Sequence, residues 1–258
     1  MKQNYFTLLL AAAGLLAGLQ AVKAQKVVLH MAGNQTFECS ISQLDSITFV
    51  GDDLIIEEEH EWVDLGLPSG TLWATCNVGA NSPEEYGDYF AWGETEPKSN
   101  YKWSTYKHCK GDYYMLTKYC TTYGYNNFKD GLTELLPEDD AASANWGSNW
   151  QTPSLTQCRE LINSNYTITE WTTLNGVNGR MITSKSNGNS IFLSASGSHI
   201  ETNSNSENNF GGYWSRSLYS GHSDEAYGLY FDPSYINAGT SYSDRYIGLT
   251  VRPVHVKR

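Results

Sequence analysis

Ala226 to Asp232 alternates without a break, with Tyr227, Leu229 and Phe231 on one face of an extended chain and Gly228, Tyr230 and Asp232 on the other. Period-two alternation marks a half-buried strand, so the first set is expected in a core and the second in solvent. Ile247, Leu249 and Val251 repeat the pattern near the carboxyl end. From Tyr213 to Ile247, fourteen of thirty-five residues are tyrosine or serine, and no lysine occurs between Lys185 and Lys257. Tyrosine supplies a stiff amphipathic contact surface with little side-chain entropy to lose, while Ser, Gly and Asn adapt their hydrogen bonding. Antibody-like binding surfaces use this mixture. The stretch points to recognition rather than chemistry.

The chain begins Met1-Lys2, runs apolar from Phe6 to Leu19 and closes with Val22-Lys23-Ala24, which predicts a signal peptide over residues 1–24. The apolar run is shorter than the roughly 20 residues of a membrane span. With the first cysteine at Cys39, amino-terminal lipidation is not expected. An exported protein follows, periplasmic, at the cell surface or secreted, with no membrane insertion. A formal net charge of −11 argues against nucleic acid as a partner.

Five cysteines remain after export: Cys39, Cys76, Cys109, Cys120 and Cys158. An oxidising compartment favours pairing, and Cys109 with Cys120 plus Cys76 with Cys158 is one arrangement. Spacing does not fix the connectivity, and five buried thiols are the alternative.

Residues 25–58 read as a small β appendage and acidic linker. Val27–Met31 and Thr36–Ile41 flank a turn at Ala32-Gly33-Asn34, Leu44, Ile47 and Phe49 extend the apolar pattern, and the acidic run Asp52–Glu59 ends it. Residues 59–258 form the main domain. Leu67-Pro68-Ser69-Gly70 is a turn between two short strands. One helix is expected over Pro137–Asn145, with Glu138, Asp139 and Asp140 at the positive end of its dipole. A second runs from Ser154 to about Asn163, opened by a Ser154/Gln157 capping box. Ile191-Phe192-Leu193 is a strand, Asn203–Asn209 an exposed loop, and Pro233–Asp244 a polar loop.

No catalytic signature stands out. His60-Glu61-Trp62-Val63-Asp64 lacks the second histidine and the helix of a zinc motif. His222-Ser223-Asp224 are adjacent and cannot form triad geometry. Glu84-Glu85 and Asp139-Asp140 read as a solvated acidic face or a helix start rather than a glycosidase pair. No cofactor or metal is expected. Trp73, Trp92, Trp146, Trp150 and Trp214 read as core and frame. Tyr219, Tyr230, Tyr235, Tyr242 and Tyr246 read as an exposed interaction surface.

Several segments together resemble one family. They are Trp62-Val63-Asp64-Leu65-Gly66-Leu67-Pro68-Ser69-Gly70, Leu72-Trp73-Ala74-Thr75-Cys76-Asn77-Val78-Gly79-Ala80, Tyr89-Phe90-Ala91-Trp92-Gly93-Glu94, Asp139-Asp140-Ala141-Ala142, Trp150 with Thr152-Pro153, Tyr213-Trp214-Ser215, and Gly248-Leu249-Thr250-Val251-Arg252-Pro253-Val254. This set is similar to the Fibrobacter succinogenes major paralogous domain family. One departure is Gln151, where the family often carries arginine.

The resemblance implies an α+β, C-type-lectin-like domain with a mixed or antiparallel sheet, two helices and long loops, whose two ends pair in one sheet. It further implies an exported binding module, possible as a target of diversity-generating retroelements. In such a target, a fixed frame of Tyr213-Trp214-Ser215, Leu229, Phe231, Arg245, Gly248 and Val251–Val254 would enclose variable positions. The enzyme relatives of this fold need cysteines in the carboxy-terminal part, and this chain has none after Cys158. The expected function is noncovalent binding of a protein or glycan by Arg216, Tyr219, His222, Asp224, Tyr230, Asp232, Tyr235, Asn237, Tyr242, Asp244 and Tyr246. The alternative is a structural cell-surface or fimbria-like assembly component, and a hydrolytic enzyme ranks below both.

Overall fold

Short strands joined by glycine- and asparagine-rich turns build an antiparallel α+β architecture with two short helices. The computed structural model describes residues 26–31, 35–40, 55–57, 60–121 and 126–256. The signal peptide, the Ala32-Gly33-Asn34 turn and the Leu44–Phe49 pattern lie outside them. The chain divides into two compact units, Met1–Glu59 and His60–Arg258.

In the first unit, β1 (Lys26–Met31), β2 (Gln35–Ser40) and β3 (Ile55–Glu57) form one antiparallel sheet in the order β2-β1-β3. The strand β3 falls inside the stretch expected to be linker. Its Ile55-Ile56 pair supplies strand character amid the acidic residues and lies opposite Leu29 and His30.

The second unit runs β4 (Trp62–Asp64), β5 (Leu72–Ala74), α1 (Ala141–Trp146), β6 (Trp150–Gln151), α2 (Leu155–Leu161), β7 (Thr167–Leu174), β8 (Val177–Ser184), β9 (Ser190–Ser194), β10 (Ser198–Ile200), β11 (Asn203–Asn205), β12 (Gly211–Leu218), β13 (Glu225–Phe231), β14 (Ile236–Asp244) and β15 (Val254–His255). Its two ends meet in the sheet β4-β5-β15-β6, where Val254 pairs with Trp73 on one side and Gln151 on the other. The Leu67–Gly70 turn joins β4 to β5 and is closed by the Gly70 N–H donating to the Leu67 carbonyl at 2.8 Å. Two three-stranded sheets, β7-β8-β9 and β12-β13-β14, and the two-stranded β10-β11 complete the second unit, so Asn203–Asn205, expected in an exposed loop, is an exposed strand paired with Ser198–Ile200.

The helix α2 begins as its sequence dictates. Ser154 Oγ accepts from the Gln157 N–H at 3.2 Å, and Gln157 Oε1 accepts from the Ser154 N–H at 2.8 Å. Cys158 and Leu161 turn into the core. The helix α1 is shorter than expected, because Pro137–Asp139 forms a 3-10 turn. Asp140 is its cap, accepting from the Ala142 N–H at 2.9 Å and the Ser143 N–H at 3.3 Å. Asp139 and Asp140 are both buried, not a solvated face. Asp139 takes Lys107 at 3.0 Å, Lys118 at 2.5 Å and the Tyr119 hydroxyl at 2.7 Å.

The strand β13 lies at the centre of its sheet and is buried on both sides. Leu229 and Phe231 join a core with Leu65, Trp73, Leu161 and Val254, while Ala226 and Tyr230 join a second with Phe90, Trp92, Trp214 and Leu249. The expectation that Tyr230 faces solvent is therefore wrong: it is 4 % exposed, and its hydroxyl donates to Ser243 Oγ at 2.9 Å. Alternation reports two faces, and here the second face meets another packed layer. The segment expected as a polar loop before Asp244 is largely the edge strand β14, because its backbone continues the β13 ladder from Phe231–Ile236 to Glu225–Asp244. Residues Gly248 to Arg252 are buried at successive positions, and isolated bridges such as Phe90–Leu249 and Tyr213–Thr250 tie this segment down.

Cys76, Cys109, Cys120 and Cys158 are free thiols, which contradicts both expected disulfides. Cys158 packs in the first core, where burial pushes its thiol up to about 12. Cys109 donates instead to the Trp103 carbonyl at 3.1 Å. Trp73, Trp92, Trp150 and Trp214 are buried, as core residues should be, and Trp146 is half-buried against Trp150. Among the described residues, no helix is long and apolar enough to cross a membrane.

Candidate functional site

The turn after β12 is held from below by one side chain. Arg245 is fully buried, and its Nη1 donates to the Ser223 carbonyl at 2.8 Å and the Tyr119 carbonyl at 3.2 Å. Its Nε donates to the Tyr106 hydroxyl at 2.8 Å, and Nη2 to the Lys118 carbonyl at 3.1 Å. The guanidinium also lies over the rings of Trp92, Tyr106 and Tyr119, at 4.9, 5.2 and 5.7 Å from their centroids. These acceptors and π faces replace the water that a buried cation loses. Above it the Tyr219 N–H donates to the Glu225 carbonyl at 3.1 Å, and the Arg245 N–H to the Asp224 carbonyl at 3.0 Å. Ser223 is buried beneath the turn, with its Oγ accepting from the Thr121 N–H at 3.1 Å.

On this base the sheet register assembles a tyrosine cluster. Tyr227 on β13 lies directly opposite Tyr242 on β14. Tyr219 stacks on Tyr242 with centroids 4.0 Å apart and meets Tyr227 edge-on at 5.2 Å. His222 lies nearly parallel to Tyr219 at 6.2 Å. The Tyr227 hydroxyl is 3.2 Å from Ser220 Oγ. Tyr242 remains 43 % exposed although its ring is stacked on Tyr219.

Beside the rings, Glu225 and Asp244 face each other across the β13–β14 pair. Like charges directly opposite in a sheet are unfavourable. Burial pushes both carboxyls above the ordinary range, and the charge of Asp224 pushes them the same way. Asp244 also bonds with Tyr246, whose ring meets Trp103 at 5.1 Å. From Trp103 the aromatic surface continues to Tyr113 at 6.2 Å and on to Tyr114, tilted 37° against Tyr113 at 3.8 Å and 56 % exposed.

Of the expected site residues, Tyr219, His222 and Tyr242 come together, with Asp224, Asp244 and Tyr246 alongside. Others do not join them. Arg216 is held by Glu134 at 2.7 Å and by Gln151 Oε1, so the Gln151 departure supplies a structural contact. Asp232 closes its own turn, accepting from the Ser234 N–H at 2.6 Å and the Tyr235 N–H at 3.0 Å. Tyr235 is exposed, and Asn237 pairs with Tyr230. Tyr235 and Tyr242 stand seven residues apart along the chain, which separates them by about 20 Å at strand rise. Tyr230 is removed from the surface by burial. Trp103, Tyr113, Tyr114, Tyr227 and Glu225 were not anticipated there. The adjacent Tyr113-Tyr114 pair in a polar segment was the one local signal for the Trp103–Tyr114 arm.

The cluster presents one exposed ring, Tyr242, beside the half-buried Tyr219 and Tyr227. A groove of about 170 Å³ lies elsewhere, lined by Val63, Leu174, Met181, Ile191 and Phe192 among others. Among the described residues, no group of three or more His, Cys, Asp or Glu could hold a metal ion. In comparisons with family models, curated proteins and solved structures, the chain matches none.

Proposed function

We propose that this chain is an exported binding protein that holds a protein or glycan noncovalently through its Tyr219–Tyr227–Tyr242 surface. On this reading the second unit is a C-type-lectin-like domain of the major paralogous type, not an enzyme. The antiparallel pairing of its two ends through β5 and β15 supports that assignment. The burial of Tyr213, Trp214, Leu229, Phe231, Arg245, Val251 and Arg252 supports a fixed frame around adaptable positions. A retroelement-diversified receptor or adhesin fits this division between frame and surface. A reverse transcriptase and a near-copy of the 3′ coding end in neighbouring DNA would test that part.

One observation carries the reading. Three tyrosines meet at 4.0 and 5.2 Å, Tyr242 exposed and Tyr219 and Tyr227 half-buried, over a turn pinned by a buried arginine. Ordered, exposed aromatics are the usual anchors of interfaces. The test is capture on protein and glycan arrays with the full chain and with Tyr219→Ala/Tyr242→Ala. Loss of the captured ligand at unchanged melting temperature is expected. Ligands retained at full strength by the variant would overturn the surface assignment. Recovery of the protein in a large ordered assembly held through residues 25–58 would favour the assembly-component reading instead, for which the separate three-stranded sheet of the first unit is the motivating feature.

A further inference from the structure

The tyrosine cluster makes the surface, and its electrostatics select the occupant. Aromatic faces carry a negative quadrupole and attract cations, Tyr and Trp most usefully where the ring is fixed. Here the fixed rings of Tyr219 and Tyr242 are flanked by Glu225 and Asp244, which face each other on neighbouring strands. Among the described residues neither carboxylate forms an ion pair, and the charges acting on Glu225 are those of Asp224, His222 and Asp244.

The positive side chains of this region are all turned to their own chain. Between Lys185 and Lys257 the only lysines or arginines are Arg216, Arg245 and Arg252. Arg216 is engaged by Glu134 and Arg245 by the core below the turn. Arg252 is buried, donating to Asn77 Oδ1 at 2.8 Å and the Thr75 carbonyl at 2.9 Å. Each of these guanidiniums is thus engaged within the chain, while Glu225 and Asp244 are half-buried beside the rings. The whole chain carries −11, so its long-range field draws in the same sign of partner. The exposed ring of Tyr242 suits a side chain on an extended segment better than an enclosed small molecule.

We propose that this surface docks a basic segment of a partner protein, with an arginine or lysine side chain lying on the Tyr219–Tyr242 stack and its charge directed to Glu225 and Asp244. The inference rests on the binding reading above and narrows it.

The test is an NMR titration of the full chain with a short Gly/Ser peptide bearing arginines, its citrulline counterpart, and choline. The arginine peptide should shift the ring signals of Tyr219, Tyr227 and Tyr242, and the neutral, isosteric citrulline peptide should bind at least about tenfold more weakly. Tyr219→Ala/Tyr242→Ala and Glu225→Gln/Asp244→Asn should each weaken the arginine peptide by about tenfold or more, and the tyrosine effect should persist in high salt. Absence of binding, or binding by either variant as tight as by the unchanged chain, overturns the proposal, the latter by placing the cation elsewhere on an acidic protein. Preference for choline over the peptide would also overturn it, in favour of a small quaternary ammonium. A neutral or acidic ligand captured on arrays and lost in Tyr219→Ala/Tyr242→Ala would overturn the basic partner while leaving the binding surface standing.

Discussion

Arg245 lies over the ring of Trp92 at 4.9 Å while its Nη1 holds the Ser223 carbonyl at 2.8 Å, so one buried cation joins the second core to the turn that carries Tyr219 and His222. Its planar fork serves several acceptors at once, which an ammonium cannot reproduce. Arg245→Lys is expected to cost about 2–4 kcal/mol, because carbonyls and hydroxyls now satisfied would be left buried and unpaired. Urea unfolding checks the cost, and Tyr219 ring order in NMR checks the pinning. A variant with unchanged midpoint and unchanged Tyr219 signals would remove Arg245 from this role.

Burial of β13 on both faces changes what its substitutions should do. Leu229→Ala, Phe231→Ala and Tyr230→Ala are each expected to cost about 2–5 kcal/mol, since each empties volume in one of the two cores. Tyr230→Phe keeps the ring and loses only the bond to Ser243, for about 1 kcal/mol. If Tyr230→Ala leaves the unfolding midpoint in place, the second core does not reach this strand.

The Glu225–Asp244 pair should be a local liability. Both carboxyls sit above their ordinary values through burial and the charge of Asp224, so the folded protein holds protons that the unfolded chain releases. The penalty is full at neutral pH and disappears as pH falls below about 4. Glu225→Gln or Asp244→Asn is expected to stabilise the protein by a few tenths to about 1 kcal/mol at pH 7, with no gain at pH 3.5. Thermal melts at the two pH values decide it; destabilisation at pH 7 would show that the pair is already compensated.

Acid should unfold the protein through His108 and Asp139. Burial holds the His108 imidazole down at about 4, with its Nε2–H donating to the Gly93 carbonyl at 2.8 Å. Burial alone would raise Asp139, but bonds from Lys118, Tyr119 and Lys107 outweigh it and bring the carboxyl to about 2. Both folded values lie below the unfolded ones, so stability is full at neutral pH and falls on acidification. His108 acts between its ordinary 6.5 and about 4, and Asp139 from its ordinary 3.8 down to about 2. The first window should remove on the order of 3 kcal/mol. Unfolding free energy measured against pH, with the His108 ring followed by NMR, checks both steps. A His108 that titrates near 6.5 in the folded protein would contradict the first.

Much of the frame was legible because local chemistry and tertiary packing agree there. Ser154 and Gln157 cap α2 as a capping box should, and Trp73, Trp92, Trp150 and Trp214 go inside. Legibility ended where the deciding contact comes from elsewhere in the chain. Alternation showed that Leu229 and Tyr230 oppose each other, but not that Phe210 and Trp214 wait on the second side. Tyrosine, amphipathic, fits either environment. Trp103 and Tyr113 reach the candidate surface from more than a hundred residues away, and no periodicity reports such an approach. The β7–β8 hairpin, by contrast, had a local sign in Asn175-Gly176, whose φ values of 49° and 87° are those a tight turn asks of that dipeptide.

Asp244, Arg245 and Tyr246 alternate in burial, with the middle residue fully buried and its neighbours half-buried. A saturation scan through this segment would therefore read as a comb, with tolerant teeth at 244 and 246 and an intolerant one between them. Binder engineers can use that spacing directly. Randomised codons belong on the two half-buried flanks, and a library that spares position 245 keeps its folded fraction while its outer chemistry is rewritten.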